Sequence, residues 1–336
     1  MRQCGMGIGE FLEENTGHHG LPPLWSLLAY VMMYEGTSSV NHFWESYRHA
    51  KALAENRDRH YYAAYIPKNT SGIRNLQVPG YEIASHQRFI WQNILKKLPV
   101  SECAFAYRKG IGIRECARPH VGRAVLIHMD IKNFFGSIRE STVFRYLLRE
   151  TGYPKQLVHF ISRMCCYAGS LPQGACTSPI LSNICFRECD ETLQLYCREH
   201  GLVYTRYSDD LFFSGDVENA GAHIKKITEI LGKHGFKVNR EKTKVLRKDA
   251  AQRILGMTVN TRLQVSRSYR RALRQELHYL YEFGGDAKGA KEADGWLSYL
   301  CCLQEKISYV LSADPENEEF RTHRRVILSM IQEFSG

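Results

Sequence analysis

Tyr207-Ser208-Asp209-Asp210 decides the reading of this chain. It lies between two apolar runs, Leu202-Val203-Tyr204 and Leu211-Phe212-Phe213, and the pattern reads as a β-hairpin with an acidic tip. Adjacent carboxylates repel, by roughly 4 kcal/mol at ~4 Å in an effective dielectric near 20. A site that keeps them together usually holds divalent metal. Taken alone, Asp-Asp also fits a plain turn, since Asp tolerates turn geometry and caps backbone groups. A second acidic site upstream changes the balance. Ala124-Val125-Leu126-Ile127-His128-Met129 is a strand-like run that ends at Asp130, with Phe134-Phe135 just beyond. One carboxylate from a buried strand and two from a hairpin make the arrangement that two-metal phosphoryl transfer requires.

The chain has 336 residues, enough for two or three cores. Its 44% hydrophobic and 24% charged content are those of an ordinary folded protein. No apolar run reaches the ~18 residues of a membrane span, and the first residues lack the order of a signal peptide, so a cytoplasmic protein with no membrane partner is expected. The formal charge is +10, spread along the chain, which points to a polyanion lying in an extended groove. Eleven cysteines are present and none forms a C-x-x-C pair, so a zinc ribbon is not expected. Cys165-Cys166 and Cys301-Cys302 read as core packing in a reducing compartment, and Cys185, Cys189 and Cys197 as one buried helical face.

Helix is expected over 22–56, 82–98, 141–150, 155–167, 178–199 and 217–234, and over most of 266–334 with a polar break near 284–289. Strands are expected at 61–66 and 73–78 around a polar turn, at the run to Asp130, in the acidic hairpin, and at 236–238, 243–246, 253–259 and 263–265. The sum is an α+β catalytic core between helical flanks.

Four segments then stand in a telling order: Asp130-Ile131-Lys132-Asn133-Phe134-Phe135; Leu171-Pro172-Gln173-Gly174-Ala175 with Ser178-Pro179 and Asn183; Tyr207-Ser208-Asp209-Asp210; and Asn239-Arg240-Glu241-Lys242-Thr243. Together they resemble the successive motifs of reverse transcriptases of the bacterial retron and group II intron branch. The resemblance covers roughly residues 61–265. It implies a right-hand polymerase fold, with an N-terminal helical extension over 1–58, fingers over 59–122, a palm over 123–265 (fingers helices 139–170 inserted) and a helical thumb over 266–336. It implies RNA-directed DNA synthesis from deoxynucleotides on a structured noncoding RNA, giving an RNA–DNA product.

The same resemblance assigns roles. Asp130 and Asp209 would bind two Mg²⁺ ions, with the Ile131 carbonyl as a further ligand and Asp210 supporting the second ion or tuning the charge. Phe135, five residues after the first carboxylate, would be the steric gate under the sugar. Lys68 and Arg74 would grip triphosphate, a task that suits the bidentate guanidinium. Gln173-Gly174 would let backbone approach the nucleotide and template. Lys242 would stabilise pyrophosphate. Leu255-Gly256 would sit at the primer grip. Arg267, Arg270, Arg271 and Arg274 share a helical face suited to phosphate contact, and Trp296 lies in a segment that resembles the thumb of retron enzymes.

Departures from the retron pattern are visible. Cys116-Ala117-Arg118-Pro119-His120 stands where retron enzymes carry Asn-Ala-x-x-His. Ile254-Leu255-Gly256 stands where they carry Val-Thr-Gly, and Ser208 replaces the usual alanine. A defence-associated or intron-like reverse transcriptase is therefore the alternative. If retron-type, the family implies branched priming from an RNA 2′-hydroxyl, and a separate effector protein in an antiphage system. Two readings from other classes stay open: a palm-fold nucleotide cyclase, whose Gly-Gly-Asp/Glu-Glu-Phe signature is absent, and a catalytically silent RNA-binding module.

Overall fold

In the computed structural model the described residues are 30–31, 33–34, 40–67, 72–284 and 293–335. Lys68 lies outside them, as do Pro22-Pro23 and most of the break after Gly284. The strands are β1 (Tyr61–Pro67), β2 (Ile73–Pro79), β3 (Val125–Ile131), β4 (Val203–Tyr207), β5 (Asp210–Gly215), β6 (Val238–Arg247), β7 (Arg253–Ile254), β8 (Met257–Thr258) and β9 (Gln264–Val265). The chain divides into two compact units, each discontinuous in sequence. One comprises 1–107, 131–195 and 226–239, and the other 108–130, 196–225 and 240–336.

The first unit is built on the helix Ser178–Glu199. This helix is buried all round over 181–186, where Leu181, Ile184, Cys185 and Phe186 pack beside the buried Ser182 and Asn183, and Cys189 and Leu193 continue the buried side beyond. Phe186 meets Phe236 at 4.6 Å and Phe134 at 5.6 Å between ring centroids. The helices Glu140–Thr151 and Lys155–Cys165 form a hairpin. Gly152, at φ +65°, ends the first, and Pro154 leads into the second. Beside them the buried Arg57 donates to the Cys166 carbonyl at 2.9 Å and to Glu140 at 2.5 Å, so its charge is paired and its donors used. The same unit holds the antiparallel β1–β2 ribbon. Gly174 is required next to it. Its φ is +132°, and a Cβ there would come 2.7 Å from the Gln77 carbonyl oxygen of β2.

The second unit carries the four-stranded sheet, in the order β4-β5-β3-β6. β3 and β5 are near-continuous apolar runs buried on both faces, as central strands are. Leu126, Ile127, Met129, Leu211, Phe212 and Phe213 are essentially inaccessible. His120 braces this sheet. Its Nδ1 lies 2.7 Å from Ser214 of β5 and its Nε2 2.8 Å from Thr205 of β4. The element Cys116–His120 thus serves the sheet, through Thr205 in particular, which also meets Cys116 Sγ at 3.2 Å. Three helices follow: Arg267–Phe283, Ala293–Ala313 and Glu318–Ser335. Ser266 caps the first by accepting from the Tyr269 amide.

Several expected boundaries shift for physical reasons. The strands expected at 236–238 and 243–246 are one strand, β6, because the polar stretch Asn239–Lys242 lies on an exposed sheet edge where alternation is weak. The strand expected at 253–259 is broken by a two-residue turn at Leu255-Gly256, both at positive φ. The helix expected from residue 217 starts at Ala220, because the Asn219 side chain caps the Ala222 amide. Cys301 and Cys302 are exposed, against the expected core placement, because Leu300, Leu303, Ile307 and Val310 take the buried face of their helix. Cys165, Cys166, Cys185, Cys189 and Cys197 are buried as expected.

Burial holds the His120 imidazole down to about 3 and that of His86 to about 4, below the ordinary histidine value of 6.5. The folded state therefore takes up these protons less readily than the unfolded chain. The stabilisation is complete above about pH 6.5 and is lost as pH falls toward these lowered values. Melting temperature measured against pH should fall in that window, and His120→Gln should give a shallower slope than the parent chain. Gly174→Ala, which places a methyl against the Gln77 carbonyl, should lower the melting temperature by several degrees (~2 kcal/mol or more).

Candidate active site

The acidic residues meet through strand register. Asp130 of β3 and Asp210 of β5 are direct cross-strand partners, and Tyr207 of β4 pairs with Asp210 on its other side. Ser208 and Asp209 are then the two residues of the β4–β5 hairpin loop. The first position of such a loop needs positive φ, and Ser208 supplies it at φ +61°, an unusual conformation for a residue with a side chain. Arg206 underlies the turn. It is fully buried, and Nη1 donates to the Ser208 carbonyl at 3.1 Å. The strain at Ser208 is thus held by a buried charge-assisted hydrogen bond.

Each carboxylate has its own polar neighbour. Asp130 is buried, and its Oδ2 accepts from the mostly exposed Lys242 ammonium of β6 at 2.8 Å. Asp210 Oδ1 accepts from His128 Nε2 at 2.7 Å. Asp209 receives a hydrogen bond from the Ser208 side chain. Burial pushes the Asp209 carboxyl above the usual carboxylate range, and the charges of Asp210 and Asp130 push it further. The Lys242 ammonium is raised in turn by its bond to Asp130, aided by the charges of Asp209 and Asp210. Three carboxylates are thus gathered at one end of the sheet, with the largely exposed Lys242 ammonium beside them.

The donor set fits a hard divalent cation. All three groups are carboxylate oxygens, they repel, and positive charge has been drawn to them. Among the described residues no three His, Cys, Asp or Glu side chains form a ready-made metal cage. Lys242 engages Asp130 Oδ2 and His128 engages Asp210 Oδ1. Ile131, the further expected ligand, is a buried strand residue beside Asp130.

The remaining expected residues are distributed as follows. In the first unit, Phe134 is core whereas Phe135 is partly exposed, so the pair divides into one packing ring and one available ring. Gln173 is laced to β2, its carbonyl accepting from the Gln77 amide at 2.7 Å. At 174 a side chain is also excluded by packing, since a Cβ would meet the Gln77 carbonyl of β2. Arg74 is exposed on β2, paired in register with Ile66.

In the second unit, Leu255 and Gly256 form the tight β7–β8 turn, and a Cβ on Gly256 would come 3.3 Å from the Tyr309 hydroxyl. Arg267 and Arg271 are exposed. Arg270 donates to Gln264 at 2.9 Å. Arg274 is engaged by a bidentate bond to Glu319 at 2.5 and 2.7 Å and lies over the Phe320 ring, which makes it a brace between helices more than a free phosphate ligand. The Trp296 ring is half-buried and tilted on Tyr299. His128 was missed by sequence reasoning. The available signal was its place two residues before Asp130 in an apolar strand, which puts both side chains on one face.

Residues 66–259 match the family described as reverse transcriptase (RNA-dependent DNA polymerase). The chain belongs to the reverse transcriptase family. It is 34% identical over 288 residues to the Retron Mx65 reverse transcriptase of Myxococcus xanthus, covering 80% of this chain and 65% of that one. It is 28% identical over 242 residues to the Retron Ec86 reverse transcriptase of Escherichia coli, covering 70% and 73% respectively. The chain thus spans just under two thirds of the length of the first of these relatives. Among solved structures, an apo telomerase from Candida tropicalis aligns at a TM-score of 0.46 with 14% identity, over 62% of this chain and 55% of that one. The α+β fold is the right-hand polymerase fold of the family, as expected from sequence. No helix among the described residues is long and apolar enough to cross a membrane.

A carboxyl whose folded value is raised costs stability in its charged form. That cost is absent below its unfolded value and is felt in full once pH rises through the folded one. At neutral pH, Asp209→Asn should therefore raise the melting temperature of the metal-free protein, by ~1–3 °C. Differential scanning fluorimetry in chelator checks this; a lower melting temperature contradicts the electrostatic account.

Proposed function

We propose that this chain is an RNA-directed DNA polymerase of the retron type, copying a structured noncoding RNA into DNA from deoxynucleoside triphosphates. The observation that supports this most is the cross-strand pairing of Asp130 with Asp210 beside the hairpin-borne Asp209. Reverse transcriptases use divalent metal. Here Asp130 and Asp209 would hold two Mg²⁺ ions, with Asp210 and the Ile131 carbonyl in support. When bound, the metal activates the primer 3′-hydroxyl and stabilises the pyrophosphate leaving group.

The protein's own residues do the rest. The hairpin loop presents Asp209, while the strands hold Asp130 and Asp210 at fixed spacing. Lys242, which pairs with Asp130 at 2.8 Å, would stabilise the pyrophosphate. Phe135 offers its partly exposed ring as the gate beneath the sugar, where a 2′-hydroxyl would collide. Lys68 and Arg74 bind triphosphate, and Gln173-Gly174 lines the nucleotide and template. Leu255-Gly256 presses on the primer strand, and Arg267, Arg270, Arg271, Arg274 and Trp296 belong to the RNA-binding thumb. In this reading the N-terminal extension, fingers, palm and thumb divide near residues 58, 122 and 265.

On this reading the chain would take a dedicated RNA partner, prime from an RNA 2′-hydroxyl, leave an RNA–DNA product, and act in the cytoplasm with a separate effector protein in an antiphage role. Basic charge of +10 suits the long polyanion.

Purified protein with Mg²⁺, a primed RNA template and labelled deoxynucleotides should extend the primer, and Asp209→Asn should reduce extension at least ~10³-fold. A cyclic product, or binding without extension, would replace this reading with the cyclase or the silent module. Phe135→Ala should raise ribonucleotide relative to deoxynucleotide incorporation by ~10-fold or more, and unchanged discrimination would remove the gate role.

A further inference from the structure

His128 has a place in the site that the family resemblance does not account for. It precedes Asp130 by two residues on β3, so both side chains project from the same face of the sheet. Its cross-strand partner is Phe212, two residues beyond Asp210 on β5. The imidazole stacks on the Phe212 ring, with centroids 4.8 Å apart and planes 17° from parallel. Phe212 itself is buried, so the platform under the imidazole is fixed. From that seat Nε2 reaches Asp210 Oδ1 at 2.7 Å. A carboxylate only accepts, so Nε2 carries the proton and donates in either charge state of the ring. The contact is short, its imidazole end is clamped by stacking, and it uses one oxygen of the carboxylate and leaves the other.

We infer that His128 is a positioning residue for the metal site. It fixes the rotation of the Asp210 carboxylate by engaging Oδ1, so that Oδ2 stays turned toward the space shared with Asp130 and Asp209. This inference rests on the metal-binding reading of the three aspartates. It accounts for the histidine that interrupts the apolar run before Asp130. Hydrogen bonds to ligating carboxylates commonly set metal affinity, and their loss typically costs ~10–100-fold.

The test is Mn²⁺ binding to the metal-free protein, followed by electron paramagnetic resonance, with no turnover involved. His128→Phe keeps the ring on Phe212 and removes the donor, and should weaken binding ~10-fold with an intact fold in thermal melts. His128→Gln restores a donor and should bind within ~3-fold of the parent. Because His128 acts through Asp210, adding His128→Phe to Asp210→Ala should change the affinity by less than ~2-fold. Unchanged affinity in His128→Phe overturns the inference, as does an equal loss in His128→Gln or a full further loss in the Asp210→Ala background. Asp209→Asn serves as the separate control. If Mn²⁺ binding survives that substitution, the metal reading fails, and the role of His128 fails with it. If binding is lost in Asp209→Asn but not in His128→Phe, only the inference about His128 falls.

Discussion

Three carboxylates at one end of a buried sheet are the constraint around which the second unit is organised. Burial, and then the charges of Asp210 and Asp130, push the Asp209 carboxyl above the usual carboxylate range. The fold tolerates this because the surroundings over-determine the geometry. Strand register fixes Asp130 opposite Asp210. Arg206, fully buried, holds the strained Ser208 turn from beneath. His120 ties β4 to β5 behind the tip. Lys242, on the edge strand β6, supplies a largely exposed cation that pairs with Asp130.

The first unit contributes differently. Its helical core and the β1–β2 ribbon carry the groups expected to meet nucleotide, and their packing accounts for residues that sequence patterns alone would assign to ligand contact. Gly174 lacks a side chain because the Gln77 carbonyl lies against it. Phe134 is consumed by the cluster with Phe186 and Phe236, which leaves Phe135 as the available ring. In the C-terminal helices, Arg274 is likewise taken by Glu319. A basic residue at helical spacing therefore does not by itself identify a phosphate ligand, since ion pairing within the protein uses the same chemistry.

Departures from the retron pattern take on a physical meaning in the structure. Cys116 and His120 both act on Thr205 and so belong to the sheet's bracing. Ser208, standing where an alanine is usual, gives Asp209 a hydrogen bond that an alanine could not. Leu255-Gly256 keeps the glycine where the turn needs positive φ and approaches Tyr309 closely. These changes alter how the site is held and leave its carboxylates in place.

By itself the sequence determined the element types and the acidic constellation. Short, continuous apolar runs ending at Asp130 and flanking Asp209-Asp210 already encode buried strands and a hairpin, because run length and turn residues are local properties of the chain. The helix Ser178–Glu199 was legible for the same reason, at a period near 3.6. Only the tertiary structure decided which residues meet. The pairing of His128 with Asp210, 82 residues apart, and of Lys242 with Asp130, 112 apart, depends on strand order in the sheet, which no local pattern carries. The same holds for the exposure of Cys301 and Cys302 and for the continuity of β6. Burial and hydrogen-bond partnership are properties of neighbours in space, and those neighbours are assigned by packing.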